Sequence, residues 1–140
     1  MKHDNPVPAN LDSERLVLGY LLLDNSAWSE NMTVDCFSLS SHKRIFACIR
    51  SRLSIGRPID LILLTDAMRR QKELDAVGGV GYLASLTEGM PRSMSPEAHI
   101  QLLKEKSALR VIIVACQTAT ERAYEQRDCA EIIKELKEQL

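Results

Sequence analysis

Aromatic residues are scarce in this 140-residue sequence: one tryptophan, three tyrosines and two phenylalanines amount to 4%. That excludes a core of stacked rings and a face of interleaved aromatic and basic residues on which nucleic-acid bases would stack. Leu, Ile, Val, Ala and Met must build the interior. Neither charge sign is in excess, since 18 Lys and Arg meet 19 Asp and Glu for a net charge of −1. This argues against a dedicated duplex-binding domain, which carries a strong basic surplus. The longest apolar run, 111–116, falls far short of the roughly 20 residues a membrane span needs. No membrane partner is expected.

Cys36, Cys48, Cys116 and Cys129 are widely spaced, and no CxxC pair occurs. The first ten residues are polar and proline-containing, unlike a secretory signal. The four are expected to be reduced thiols, most of them buried, in a cytoplasmic protein.

The motifs that carry chemistry are also missing. Gly78-Gly79-Val80-Gly81 superficially suggests a nucleotide loop, but the remaining glycine of GxGxxG is absent and no strand precedes it; the P-loop GxxxxGK[ST] occurs nowhere. His3, His42 and His99 are mutually isolated, with no HExxH and no Cys/His ligand spacing. No cofactor or metal is therefore expected. His42 reads as a packing or hydrogen-bonding residue in a first helical turn. Asp60, Asp66, Glu73 and Asp75 do not stand alone in apolar runs, as acids of raised pKa would, and no nucleophile elbow is present. No enzymatic activity is expected of this chain. A small hydrolase assembled from scattered Ser, His and Asp residues remains an alternative, as does a helical nucleic-acid-binding module using Arg50, Arg52, Arg57, Arg69, Arg70 and Lys72.

What the sequence does carry is helical periodicity, with apolar residues recurring at intervals of three and four. The pattern predicts an all-α fold. A first helix over 11–24 is expected to start at an Asp12 cap with Leu11 and Leu16 as a hydrophobic staple. Gly19 within it suggests a close helix crossing. A short helix over 26–32 carries Trp28, and a turn follows with Phe37 as inward anchor. Ser41 is expected to cap a helix over 42–54, in which Ile45, Phe46, Ile49 and Leu53 form the apolar side. Gly56-Arg57-Pro58 closes it. Asp60 caps a helix over 61–72, Gly78-Gly79 breaks the chain, and a short helix covers 80–87. A loop over 89–95 leads to Ser95-Pro96, a strong helix start with proline at the first helical position. The helical pattern then continues to about 126, and Asp128 to Glu131 has capping-box spacing for a last helix. The chain thus divides into a flexible arm (1–10), a globular helical part (11–95) and a helical hairpin (96–140). Two helices alone bury only their shared face. The apolar stripes on Leu109, Ile112, Ile113, Ile132, Ile133 and Leu136 therefore mark the expected association surface, and Gly19, Phe37, Phe46, Pro58, Asp60, Gly78 and Gly79 the structural framework. The last stripe reaches Leu140 without a C-cap glycine, as expected of a piece of a longer protein.

Four blocks of residues carry a family resemblance: Leu11 to Gly19 with the LLLD ending at Asp24; Asp35-Cys36-Phe37 with His42-Lys43-Arg44-Ile45-Phe46; Gly56-Arg57-Pro58-Ile59-Asp60; and Leu74 to Leu83. In order and spacing the chain resembles the N-terminal domain of the bacterial replicative DNA helicases of the DnaB family. Ser13, where the family often has alanine, Cys36-Phe37-Ser38, which lacks the usual tyrosine, and a short segment between Asp24 and Asp35 are departures. The resemblance implies a compact six-helix globular bundle followed by a C-terminal helical hairpin. It implies pairing of hairpins between subunits, hexamers built from such dimers, and contact with primase and possibly with a helicase loader. It also implies a P-loop motor domain beyond Leu140, so that this piece has neither ATPase nor unwinding activity; from the balanced charge, its DNA contact is expected to be weak or absent.

Overall fold

The computed structural model describes residues 5–91 and 95–140. Residues 1–4 of the expected arm and 92–94 of the expected 89–95 loop lie outside them. Six α-helices follow in order: α1 (Leu11–Leu23), α2 (Ser40–Leu53), α3 (Leu61–Arg70), α4 (Gly79–Ser85), α5 (Pro96–Tyr124) and α6 (Cys129–Gln139). Three 3₁₀ turns, Asn25–Ala27, Val34–Cys36 and Asp75–Val77, complete the inventory, and no strand occurs among the described residues. The all-α class is as the periodicity predicts, with a packed bundle and a C-terminal helix pair. The β-branched run 111–114 lies inside α5.

The core is aliphatic, as the composition requires. Val17, Leu18, Leu21 and Leu22 of α1 meet Ile45, Phe46 and Ile49 of α2, Leu64 and Met68 of α3, Leu83 of α4 and Leu103 of α5. Each such side chain removed from water contributes roughly 1.5–3 kcal/mol. Phe37 and Phe46 supply the aromatic contact, with ring centroids 4.9 Å apart. The N-terminal part of α5 therefore belongs to the core, and its C-terminal part carries α6.

Local chemistry sets the helix ends. Asp60 accepts from the Leu63 N–H at 2.8 Å and starts α3. Asp128 accepts from the Glu131 N–H at 3.3 Å and starts α6. Pro96 opens α5, but the Ser95 hydroxyl donates to the Glu97 carboxylate instead of capping the backbone. Three expectations need correction. Asn10, not Asp12, caps α1: its side-chain oxygen accepts from the Ser13 N–H at 3.0 Å. Asp12 falls in the first turn, where a carboxylate suits the helix dipole, and Leu11 is left exposed rather than stapled. Ser41 does not cap α2, which begins at Ser40 without a side-chain cap. The preceding Ser38 donates elsewhere, to Glu14. The helix expected over 26–32 is one 3₁₀ turn, because Asn25 turns its amide to other work: it donates to the Leu21 and Ile59 carbonyls and accepts from the Ile59 N–H. That clamp holds the segment after Pro58, whose carbonyl accepts from Arg52.

Gly19 and Gly78 are among the glycines that packing or conformation requires. Gly19 lies where α1 crosses the end of α4, and a methyl group there would overlap the Leu86 carbonyl. Gly78 has φ +104°, a left-handed conformation that L side chains rarely adopt, directly beneath the Tyr82 side chain. Gly81, by contrast, sits in α4 with open space around it and no positive φ. Gly19→Ala is expected to lower stability by about 1–3 kcal/mol, whereas Gly81→Ala raises it by about 0.5–1 kcal/mol through helix propensity. Urea unfolding of both variants checks this; a neutral Gly19→Ala would contradict the close crossing.

Candidate functional site

The position of Glu14 follows from α1's register: it stands at the same helical spacing as Val17, Leu18 and Leu21 and is carried into the interior with them, fully buried. Its carboxylate accepts from the Ser38 N–H at 3.1 Å to each oxygen and from the Ser38 hydroxyl at 2.6 Å. His42 of α2, also fully buried, places Nδ1 2.9 Å from the same carboxylate and Nε2 2.5 Å from the Tyr82 hydroxyl on α4. A carboxylate only accepts, so Nδ1–H donates to Glu14, and Nε2 pairs with the Tyr82 hydroxyl. Burial pushes the Glu14 carboxyl up, but the hydrogen bonds from His42 and Ser38 outweigh it and hold the group below its ordinary value of 4.5. Burial likewise pushes the Tyr82 hydroxyl up, which suits a donor. Arg15 lies 5.9 Å from the Tyr82 ring centroid and covers its face. Beside this chain, the Ser13 hydroxyl meets His99 Nδ1 of α5 at 2.9 Å.

This cluster contains serine, histidine and a carboxylate, yet it does not make a nucleophile. Ser38 donates to Glu14 rather than to the imidazole, and the far imidazole nitrogen is committed to Tyr82. Activation of a serine needs its proton directed at the histidine. The chain acts as a tie between α1, α2 and α4.

The hairpin presents two stripes. Ala115, Thr118, Ala119 and Arg122 of α5 face Ile132, Glu135, Leu136 and Gln139 of α6 along the seam, where Arg122 pairs with Glu135. Ile132 and Leu136 are accordingly half-buried within one chain. Leu109, Ile112 and Ile113 form a separate row on α5 at intervals of three and four, and are 44%, 45% and 36% exposed. Ile133 of α6 is 52% exposed. Of the six residues, Ile132 and Leu136 therefore line a seam inside the chain, whereas Leu109, Ile112 and Ile113 on α5 and Ile133 on α6 are exposed. Cys116 and Cys129 are exposed, against the expectation that most thiols are buried; Cys36 and Cys48 are buried.

Arg110, also on α5, donates to the Pro8 carbonyl at 2.8 Å and the Asp35 carbonyl at 2.7 Å. Two clefts flank it, one between α5 and the 3₁₀ turn at Val34–Cys36, the other between α5 and residues 5–8. The basic residues considered for nucleic acid are partly engaged in the fold: Arg52 with the Pro58 carbonyl and Arg70 with Asp66. Among the described residues no group of three or more His, Cys, Asp or Glu is placed to hold a metal ion, and no helix is long and apolar enough to cross a membrane.

A family model, the DnaB-like helicase N terminal domain, matches residues 6–105. The chain belongs to the DnaB-like helicase N-terminal domain family. It is 31% identical over 131 residues to the replicative DNA helicase DnaB of Treponema pallidum, covering 91% of this chain and 30% of that protein. To DnaB of Geobacillus stearothermophilus it is 28% identical over 129 residues, 90% of this chain and 28% of the relative. The chain thus spans about 30% of the length of the curated relatives it matches. Its fold is similar to the crystal structure of the N-terminal domain of DnaB helicase from Mycobacterium tuberculosis, with TM-score 0.86, 23% identity, and coverage of 96% of this chain and 98% of that one. A second solved structure, of a DnaB-like replicative helicase and its interactions with primase, matches with TM-score 0.79 and 26% identity over 94% of this chain and 32% of that one. The similarity thus places this DnaB-like domain alongside the N-terminal part of those helicases.

Sequence reasoning named His42 but missed its partners. Glu14 was legible as a carboxylate in register with an apolar stripe; Tyr82 and Arg110 had no local signal, because their partners are distant in sequence. The lowered Glu14 value gives a pH dependence. The unfolded carboxyl titrates near 4.5 and the folded one lower, so its stabilisation is complete above the unfolded value and is lost as pH falls through the folded one. Glu14→Gln is expected to cost about 1–3 kcal/mol at neutral pH, with the gap to the parent shrinking as the pH falls below about 4.5. Urea unfolding across pH measures it, and a gap indifferent to pH would show that the charge does not matter.

Proposed function

We propose that this DnaB-like domain is the assembly platform of a hexameric replicative DNA helicase, pairing with a second copy through the α5–α6 hairpin and offering the resulting body to primase. The observation that carries the reading is the exposed apolar row Leu109, Ile112 and Ile113 on α5, together with the exposed Ile133 on α6. Such a row of large apolar side chains marks a surface that another protein covers. In this reading 11–95 is the rigid body, 96–140 the association element and 1–10 an accessory arm. Ile132 and Leu136 support pairing indirectly, by holding α6 on α5. Family membership and the similarity to a helicase solved for its interactions with primase support primase as the partner. A helicase loader is a further partner of the whole protein, which acts in the cytoplasm. ATP hydrolysis and unwinding belong to the motor domain of the full-length helicase. DNA contact by this domain is slight, in keeping with its balanced charge.

Sedimentation equilibrium over a wide concentration range tests the pairing. The chain is expected to associate, and Ile133→Glu or Ile112→Glu to weaken association at least tenfold, since a buried apolar side chain is worth roughly 1.5–3 kcal/mol. Ile132→Ala is expected to reduce folding stability. A strict monomer at high concentration would refute hairpin pairing. Titration with primase and with labelled single strand and duplex at low salt separates the two partners: primase binding without salt-dependent DNA binding is expected.

A further inference from the structure

The N-terminal segment before α1 meets α5 of the hairpin without belonging to the core. Asn5, Pro6, Val7 and Pro8 form one wall of a cleft whose other wall is Arg110, Ile113, Val114 and Gln117 of α5. Val7 is 59% exposed, so apolar burial does not hold the segment there. What holds it is Arg110, whose guanidinium donates from one nitrogen to the Pro8 carbonyl and from the other to the Asp35 carbonyl. Charge-assisted hydrogen bonds are the strong ones, and the second bond braces the side chain against the body of the domain. Prolines at 6 and 8 stiffen the segment, which lowers the entropy lost when it docks.

The location gives the clasp its consequence. Ile113 belongs both to this cleft and to the outward row Leu109, Ile112, Ile113, and it is the least exposed of the three. A helix with its side chains is about 10–12 Å wide. A partner helix laid along that row therefore runs into residues 5–8.

We propose that residues 5–8 are a strap, clasped by Arg110 onto α5 beside Ile113 and Val114, that competes with a second copy of this chain for the same face. This rests on the pairing reading given above. Opening the clasp exposes the Ile113 end of the row, so the strap sets the concentration at which copies pair.

Two measurements test it. In a Cys116→Ser/Cys129→Ser background, Ile113→Cys is alkylated with a maleimide at a dilution where the chain is monomeric. The chain is compared with one starting at Ala9, which keeps the Asn10 cap, and with Arg110→Ala. Severalfold faster labelling in both variants is expected; an unchanged rate overturns the strap, whatever the chain's oligomeric state. Sedimentation equilibrium of the same truncation, with the native cysteines and isoleucine, is expected to show severalfold tighter self-association. Association that is equal or weaker overturns the competition. A chain monomeric with and without the arm overturns the pairing reading and the competition with it, whereas the labelling rates still decide whether the clasp covers α5.

Discussion

A carboxylate withdrawn from water is tolerated only where donors replace its hydration, and Glu14 sets that requirement at the centre of this domain. Its donors come from two other places in the chain: Ser38, just before α2, and His42, in the first turn of α2. Because His42 in turn takes its second partner from Tyr82, the demand passes from α1 through α2 to α4. The positions of the surrounding elements follow. Ser38 reaches Glu14 from just before α2, whose N-cap position falls on Leu39, which has no side-chain acceptor. Gly78 must be left-handed with no side chain of its own so that α4 can bring Tyr82 over it. Gly19 lets α1 approach the end of α4 closely enough for the chain to close. A fully satisfied polar network of this kind specifies one arrangement of helices, which an aliphatic core alone does less sharply.

That rigidity gives the hairpin its meaning. Leu103 and Ile100 seat the start of α5 in or against the core, so the long helix leaves the body in a fixed direction and carries α6 on its far half. The seam between α5 and α6 uses one stripe of α5, and a second stripe, rotated away from it, faces outward. In the pairing proposed above, a rigid lever would keep the geometry of the association surface the same from copy to copy, as a symmetric assembly requires.

Much of the fold was legible in the sequence, and the reason is local. The Asp60 and Asp128 caps depend on side chains reaching an N–H three residues on, and Pro96 acts through its own φ angle. The misreadings share another cause. Asn10 and Asp12 both suit a helix start, and Asn10, two residues earlier, is the one that accepts from the Ser13 N–H. Asn25 looked like a helix end followed by a helix start, and its commitment to Ile59, far along the chain, is invisible locally. For the surface, periodicity reveals which residues share a face but not what that face meets. Ile132 and Ile133 are adjacent and equally apolar, yet one lines the seam and the other faces outward. Arg110 had no distinguishing feature in a helix with several basic residues, since both of its acceptors are backbone carbonyls distant in sequence.

The account depends most directly on the coupling between Glu14 and His42, and a double-mutant cycle measures it. Unfolding free energies at neutral pH would be compared for the parent, Glu14→Gln, His42→Gln and the double variant. If the carboxylate and the imidazole act as one unit, the two single losses do not add, and an interaction energy of about 1 kcal/mol or more remains. Additive losses, with an interaction energy near zero, would contradict the claim that this buried tie organises the domain.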